Sequence, residues 1–375
     1  MTEERDLRGF TIPFAAGVAM AVLCIRGQIY ADSIFASASY TLCLTATIAI
    51  ITYTRKSGNC THAGWITILL TAFAGLSAGL CIGFGNAVLG ISSIPWVLEK
   101  VASDAGERLT EAVDRICFSD PETNALVKAL LTGDRRGLSN RTKEIFTLSG
   151  ASHILALSGL HLGIIYGMVH KILAPAAKVP QVSAAISVIM ILVCGAYTMI
   201  TGAGPSITRA FIFITIREIA KICGRDMDLK KTLTASLMIH LATSPHSITS
   251  VGFQLSYSAI FGIAYLFPPI KNIWPSDNET SEKHFPILRK IWEISALSLS
   301  CQITAGSLAW LYFGNFPEYF IITNLIAMPL SAILIPLSVI TLLFESLGWR
   351  IPIIIEAAEF TAKIMTGALE TISNL

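Results

Sequence analysis

The residues best able to do chemistry lie in one apolar stretch, residues 150–170. It carries imidazoles at His153, His161 and His170 and a hydroxyl at Ser158, although the rest is apolar enough to enter a bilayer. An ionisable side chain inside a membrane is costly and usually marks a function. We therefore expect the first turns of this stretch to line a water-filled pathway.

The same stretch predicts a helix with two different faces. At about 100° per residue, Gly159, Gly163 and Gly167 fall on one narrow face, where a neighbouring helix can pack closely. The first two imidazoles and the serine hydroxyl fall on the opposite face. One face is thus predicted to pack and the other to be wet.

A cationic stripe is predicted in a later apolar run, residues 206–223. Arg209, Arg217 and Lys221 drift by only about 120° over about 18 Å of helix. We expect this stripe to face one sector and to line a pathway for water or anions. The alternative is that Lys221 is an ordinary anchor at the membrane surface and that Arg209 snorkels outward.

Two amides complete the candidate pathway. Gln254 lies in an apolar helix, where a polar side chain more often bonds across a helix pair. Asn324 precedes Pro329 and Pro336, which predict that residues 319–345 are kinked or broken into half-helices. Broken helices at membrane depth are tolerated where they line a cavity or are buried in protein.

Catalysis is weakly indicated. Ser158 and His161 are neighbours on a helix and could form a nucleophile and its base. No carboxylate in this segment orients the imidazole, and the chain has no metal-ligand motif and no nucleotide-binding motif. We predict a protein that is not an enzyme, with no catalytic residues, no metal site and no cofactor.

The composition predicts the fold class. Of 375 residues, 53% are hydrophobic and only 14% charged, against about 25% charged in soluble domains. We expect an all-α, polytopic integral membrane protein with about ten spans of roughly 20 residues each. The candidate spans lie near 11–26, 36–53, 65–86, 150–170, 182–201, 206–223, 231–243, 249–268, 291–313 and 319–345. The third also has a small-residue packing face, formed by Gly75, Gly79, Gly83 and Gly85.

One segment breaks this pattern and predicts a small amphipathic helical surface subdomain. Trp96–Cys117 alternates apolar and charged residues at helical spacing, as in a helix lying on a membrane surface. Asp120, Gly133 and Ser139 are predicted to cap the following short helices. The predicted organisation is 1–95 N-terminal transmembrane helices, 96–149 surface subdomain, 150–346 transmembrane channel core and 347–375 amphipathic C-terminal tail.

The distribution of Lys and Arg predicts the orientation. A cytoplasmic N-terminus places most basic loops inside, as the positive-inside rule requires. The 96–149 subdomain then lies outside and the 347–375 tail inside. We expect a multi-pass protein of the cytoplasmic membrane.

Several blocks, in a fixed order, resemble the ComEC/Rec2 family of competence membrane proteins. The blocks are Leu130–Leu138, His153–His161, Pro205–Ala210, Gly252–Ser256 and Asn324–Leu330. The His-to-His block is the most specific of them. The resemblance covers roughly residues 96–345, about two-thirds of the chain.

This resemblance implies a channel subunit that passes single-stranded DNA across the cytoplasmic membrane during natural transformation. It implies single-stranded DNA and membrane lipids as partners, with a DNA receptor, a separate nuclease and a cytoplasmic motor as further partners. The family's OB-like and metallo-β-lactamase-like domains are not expected here, because residues 1–95 are nearly all spans and no metal-binding cluster follows. A cationic stripe suits a phosphate backbone.

Two other functions remain open. A small-solute or lipid transporter on the same helical body would pair Arg209 and Arg217 with intramembrane acids, of which Glu218 is the foremost candidate. An intramembrane hydrolase would use Ser158 and His161. The oligomeric state is not predicted.

Overall fold

The computed structural model describes residues 2–26, 42, 71–80, 82–83, 96–176, 180–274, 286–314 and 317–375. Their regular structure is helical, and no strand occurs among them. These residues form two compact units. Unit 1 combines the described part of Met1–Ser93 with Met227–Tyr257, and unit 2 combines Ile94–Asp226 with Ser258–Leu375. The predicted all-α class is confirmed.

The helices of the described ranges are numbered here in chain order. They are α1 Thr2–Arg26, α2 Thr71–Leu80, α3 Trp96–Asp114, α4 Pro121–Thr132, α5 Asn140–Leu148, α6 Ser152–Leu155, α7 Gly159–Leu173, α8 Pro180–Ile200, α9 Pro205–Ile222, α10 Leu229–Thr243, α11 Val251–Lys271, α12 Ile287–Phe313, α13 Phe320–Ser346 and α14 Pro352–Ser373.

Unit 1 is held together by backbone contact between α1 and α2. A Cβ atom added at Gly79 would lie 2.1 Å from the carbonyl oxygen of Phe14, and one at Gly17 would lie 2.2 Å from that of Leu76. Gly75 makes the same kind of contact with α1. Only glycine permits this separation, so the predicted small-residue face of the third span is confirmed. Its last member, Gly85, lies outside the described residues.

The helix caps of the surface subdomain in unit 2 form as predicted. The Asp120 side chain accepts a hydrogen bond from the backbone of Glu122 at the start of α4, and Ser139 does the same for Thr142 in α5. Gly133 ends α4 with φ 81°, a left-handed conformation that favours glycine. Helices α4 and α5 therefore begin or end where local chemistry requires.

Helix α13 is continuous through both of its prolines. It runs for 27 residues with Pro329 and Pro336 inside it, so the predicted break into half-helices is wrong. Helices α4, α7, α12 and α14 pack against α13, and α5 packs against α14. Each proline removes a backbone hydrogen bond from the helix. The packing of neighbouring helices stabilises α13 in its place. Buried apolar side chains from these helices, among them Leu126, Leu130, Phe146, Leu334 and Met365, form the core of unit 2.

The C-terminal helix belongs to this core and touches the surface subdomain. Arg141 of α5 forms an ion pair with Glu370 of α14, and Glu359 of α14 accepts a hydrogen bond from the backbone of Ser119. The predictions that the subdomain lies outside the membrane and the tail inside are therefore incompatible. Loop charges alone do not detect a contact across more than 200 residues.

Four helices are long and apolar enough to cross a membrane among the described residues. They are Val182–Ile200, Val251–Lys271, Ile287–Phe313 and Phe320–Ser346. The count of about ten is not confirmed. Helix α9 carries four charged residues in 18 positions, and α7 and α10 have 15 residues each. The predicted span 36–53 lies, apart from Leu42, outside the described residues.

Helices α11 and α12 each contain one π-helical turn, and the two turns meet. They are Gly262–Leu266 and Gln302–Gly306. A Cβ added at Gly262 would lie 2.5 Å from the carbonyl oxygen of Ser300. The wider turns let the two helices approach backbone to backbone within unit 2.

Candidate functional site

The central stretch, residues 150–170, is two helices and a break. Helix α6 ends at Leu155, Ala156 is extended, and α7 begins at Gly159. His153 therefore lies on a different element from His161, and the prediction of one two-faced helix is wrong. The run has no proline, and its Ser158–Gly159 turn signal alone does not show where the preceding helix stops.

Contacts with the subdomain fix the position of this break. Arg135 donates from Nε to the carbonyl oxygen of Leu155, at 3.0 Å. Gly133 lies against Leu157, where an added Cβ would come within 2.6 Å of the leucine side chain. Residues of the Leu130–Leu138 block thus contact residues of the His153–His161 block. The turn after α4 holds the last carbonyl of α6 and the residue preceding Ser158.

Ser158 and His161 form the cap of α7. The Ser158 hydroxyl oxygen accepts from the backbone N–H of Leu160 at 3.2 Å. The backbone N–H of Ser158 donates to Nδ1 of His161 at 3.2 Å, and its Oγ lies 3.1 Å from the same nitrogen. This is a capping box in which an imidazole takes the place of the usual Glu or Gln. The predicted nucleophile-and-base contact is accounted for by this cap.

The cap also determines the state of the His161 ring. Because Nδ1 accepts a backbone hydrogen bond, the neutral ring carries its hydrogen on Nε2. That Nε2 is buried and has no hydrogen-bond partner among the described residues. His161 is 0% exposed, so in this structure it does not face an open passage. Its place in a pathway wall remains a prediction that requires movement of α7.

The other imidazoles of the stretch lie in different surroundings. His153 is exposed, with Nδ1 3.1 Å from the carbonyl oxygen of Gly150. His170 stacks on Tyr166 one turn earlier in α7, with 5.9 Å between ring centroids. The three histidines therefore do not share one face.

The predicted glycine packing face of α7 is not confirmed beyond its first residue. A Cβ at Gly159 would touch the side chain of Ala210 at 3.4 Å, which is ordinary contact with α9. Around Gly163 and Gly167 the described residues leave open space within 4 Å.

The cationic stripe of α9 is split between interior and surface. Arg209 is only 1% exposed, whereas Arg217 and Lys221 are exposed. The drift of about 120° along the stripe turns its two ends toward different surroundings. The prediction of one common sector is wrong, and so is the alternative in which Arg209 snorkels outward.

A buried carboxylate, Glu218, is the residue that the pathway prediction left out. It lies in α9 with 4% of the residue exposed. The Tyr166 hydroxyl of α7 donates to its Oε1 at 2.6 Å, and Lys221 Nζ lies 3.9 Å from its Oε2. The sequence gives one sign that this residue has a function. It is an acid inside an apolar run, which is rare in membrane helices.

The two amides belong to different units, and each has its own hydrogen-bond partner. Gln254 belongs to unit 1 and donates to the carbonyl oxygen of Ile248 at 3.0 Å. Asn324 belongs to unit 2 and donates to Ser298 Oγ of α12 at 3.3 Å, while its buried Oδ1 has no hydrogen-bond partner among the described residues. Asn324 thus joins two membrane-length helices.

The chemistry of this region follows from its burial. His161, Arg209 and Glu218 place one imidazole, one cation and one acid in the packed contacts of α7, α8 and α9. Such groups can hold or pass protons and attract anions once water reaches them. Within the described ranges, no three His, Cys, Asp or Glu side chains lie close enough to share a metal ion.

Comparison with known proteins gives one family and two related chains. The family described as Competence protein matches residues 130–375. ComE operon protein 3 of Bacillus subtilis (strain 168) is 23% identical over 219 residues, which cover 58% of this chain and 25% of that protein. Uncharacterized protein YcaI of Escherichia coli (strain K12) is 24% identical over 245 residues, 62% of this chain and 30% of that one.

The chain therefore spans less than a third of the length of either relative. No solved structure matches it.

Proposed function

This chain belongs to the Competence protein family, and from that premise we propose that it forms part of a channel for single-stranded DNA in the cytoplasmic membrane during DNA uptake. The observation that carries the proposal is the family match over residues 130–375, which includes α7, α9 and the buried charges between them. A role in competence agrees with an all-helical membrane protein.

The chemistry of α9 supports a polyanionic substrate. Arg217 and Lys221 are exposed and Arg209 is enclosed in the same helix. A cation that meets a phosphate releases counterions and gains affinity without regard to base sequence. This suits a passage that has to accept any DNA strand.

The proposal requires a conformational change. His161 and Arg209 are buried, and the Tyr166 hydroxyl ties α7 to Glu218 of α9. A strand of DNA reaches these residues only when α7 and α9 separate. We infer that the structure corresponds to a closed form, and that a DNA receptor, a nuclease and a motor act as separate partners.

Uptake in a deletion strain tests the proposal. Cells lacking this gene receive duplex DNA radiolabelled in one strand, and label inside the cytoplasm is measured after external nuclease treatment. The expected result is loss of internal label, restored by the wild-type gene. Internal label equal to that of the parent strain would remove the DNA-channel function.

A small-solute transporter is the second candidate, and Glu218 favours it. Proton-linked transporters use buried acids in membrane helices, and Glu218 is such an acid. If DNA uptake is unaffected by the deletion while uptake of a labelled metabolite falls, this candidate replaces the first.

A further inference from the structure

Glu218 stands at the centre of a small group of titratable side chains in unit 2. Its carboxylate is enclosed between α9 and the two helices that pack on it, α7 and α8. Tyr166 of α7 contacts one oxygen at 2.6 Å, and Lys221 approaches the other at 3.9 Å. The pathway prediction used none of these contacts.

The surroundings of the carboxylate are defined on every packed side. From α7 it faces Tyr166, on which His170 stacks with 5.9 Å between ring centroids. From α8, the buried Cys194 belongs to the cluster on which Tyr166 packs. Its own helix contributes Lys221 at 3.9 Å, and the neighbouring Arg217 is exposed.

This arrangement leaves the carboxylate only partly stabilised. A carboxylate taken out of water needs several hydrogen bonds or a close ion pair to remain ionised at low cost. Oε1 receives one hydrogen bond, and Oε2 is buried with no hydrogen-bond partner among the described residues, its lysine being at ion-pair distance. One oxygen of the carboxylate is therefore open to a further hydrogen-bond partner when water reaches the site.

We propose that Glu218 is a proton-binding site that couples passage through this protein to proton movement, with Tyr166 as the residue that positions its carboxylate. The inference rests on the proposed function and adds its driving force.

The proton step is balanced without any other reactant. One proton from water on the first side of the membrane adds to Oε2 of the Glu218 carboxylate and makes it neutral. Tyr166 keeps its own proton, and Lys221 loses the opposite charge beside it. Neutralisation also weakens the charge-assisted hydrogen bond that Tyr166 of α7 donates to Glu218 of α9. The two helices then separate more easily, and the proton leaves to the second side when the carboxylate ionises again.

Proton flux in proteoliposomes tests the inference. The purified full chain is reconstituted in vesicles that contain a trapped pH-sensitive dye, and a potassium diffusion potential is applied. Wild type is compared with Glu218→Gln, which mimics the neutral acid, and with Tyr166→Phe, which lacks the positioning hydroxyl. Glu359→Gln is the matched control, because Glu359 is also buried and has a lysine, Lys363, at 3.8 Å.

We expect flux in wild type and in the Glu359 variant, loss of flux to the level of protein-free vesicles in Glu218→Gln, and reduced flux in Tyr166→Phe. No flux in wild type, or equal flux in wild type and Glu218→Gln, overturns the inference. Should Glu218→Gln fail to reconstitute, Glu218→Asp and Tyr166→Phe decide, and unchanged flux in both overturns it.

The two proposals fail in different ways. If the wild type carries no protons but deletion abolishes DNA uptake, the proton site alone is wrong. If the wild type carries protons through Glu218 but deletion leaves DNA uptake intact, the DNA channel alone is wrong.

Discussion

Arg209 brings a guanidinium group into the packed contacts of α9, where only 1% of the residue is exposed. A guanidinium group is always charged in proteins. The packed surroundings of Arg209 must therefore stabilise that charge. Arg217, two turns further along, is exposed. Under the proposed function, Arg217 contacts the anion directly, whereas Arg209 contributes to packing and meets DNA only after α7 and α9 separate.

Substitution separates these two purposes. Arg209→Ala removes a buried charge and leaves a cavity, so we expect a loss of about 2–5 kcal/mol in stability. Arg217→Ala at the surface should change stability by less than about 0.5 kcal/mol but lower DNA uptake. Thermal unfolding in detergent and uptake per membrane-inserted protein measure the two effects. Normal uptake in Arg217→Ala would contradict a DNA contact at this position.

Ser158 is expected to act through its cap. Ser158→Ala removes the hydroxyl that accepts from Leu160 and should cost about 1 kcal/mol, whereas Ser158→Asp keeps an acceptor and should cost less. Uptake per folded protein should be unchanged in both variants, because no bond is made or broken at this oxygen. Complete loss of activity in a fully stable Ser158→Ala would instead indicate a nucleophile.

At the scale of whole elements, the closest helix contact is between α1 and α2. Gly79→Ala places a Cβ 2.1 Å from the Phe14 carbonyl oxygen, and separating the two backbones should cost about 1–3 kcal/mol. Gly163→Ala in α7 is the matched control. It meets open space and should stabilise its helix by up to about 1 kcal/mol. Unfolding temperatures of the two variants should therefore move in opposite directions, and equal shifts would contradict the contact.

The turn between α4 and α5 should make stability depend on pH. The Arg136 side chain, hydrogen-bonded to Asp134, lowers the pKa of that carboxyl from 3.8 to about 2. A group with a depressed folded pKa adds stability above its unfolded pKa and loses it as pH falls through the folded value. The loss should lie between pH 3.8 and about 2, and Asp134→Asn should flatten the stability curve there. A curve unchanged by this substitution would contradict the pairing.

The sequence predicts those helix ends that depend on contacts between residues close together in the chain. Asp120, Gly133 and Ser139 act within two to four residues of themselves, so their caps were predictable. The break before Ser158 was not, because Arg135 holds the Leu155 carbonyl from 20 residues away. The burial of Glu218 likewise depends on Tyr166, 52 residues earlier. Periodicity gives the faces of a helix but not the neighbours they meet.

On the scale of the whole molecule, the subdomain and α14 should lie on one side of the membrane. Arg141 and Glu370 form an ion pair across these elements. Replacing both with cysteine should allow a disulfide to form in intact membranes, detected as a mobility shift that a reductant reverses. The pair Lys143→Cys with Glu370→Cys serves as a control for distance. Absence of the cross-link, with each cysteine labelled from a different side, would contradict the fold of unit 2.

Photocross-linking during uptake tests whether DNA passes beside α9. A photoreactive amino acid replaces Arg217, or Leu192 on the exposed apolar surface of α8 as a control, and cells are irradiated during uptake of radiolabelled DNA. We expect label on the protein at position 217 and little at position 192. Labelled DNA that reaches the cytoplasm without any cross-link at position 217 would contradict it.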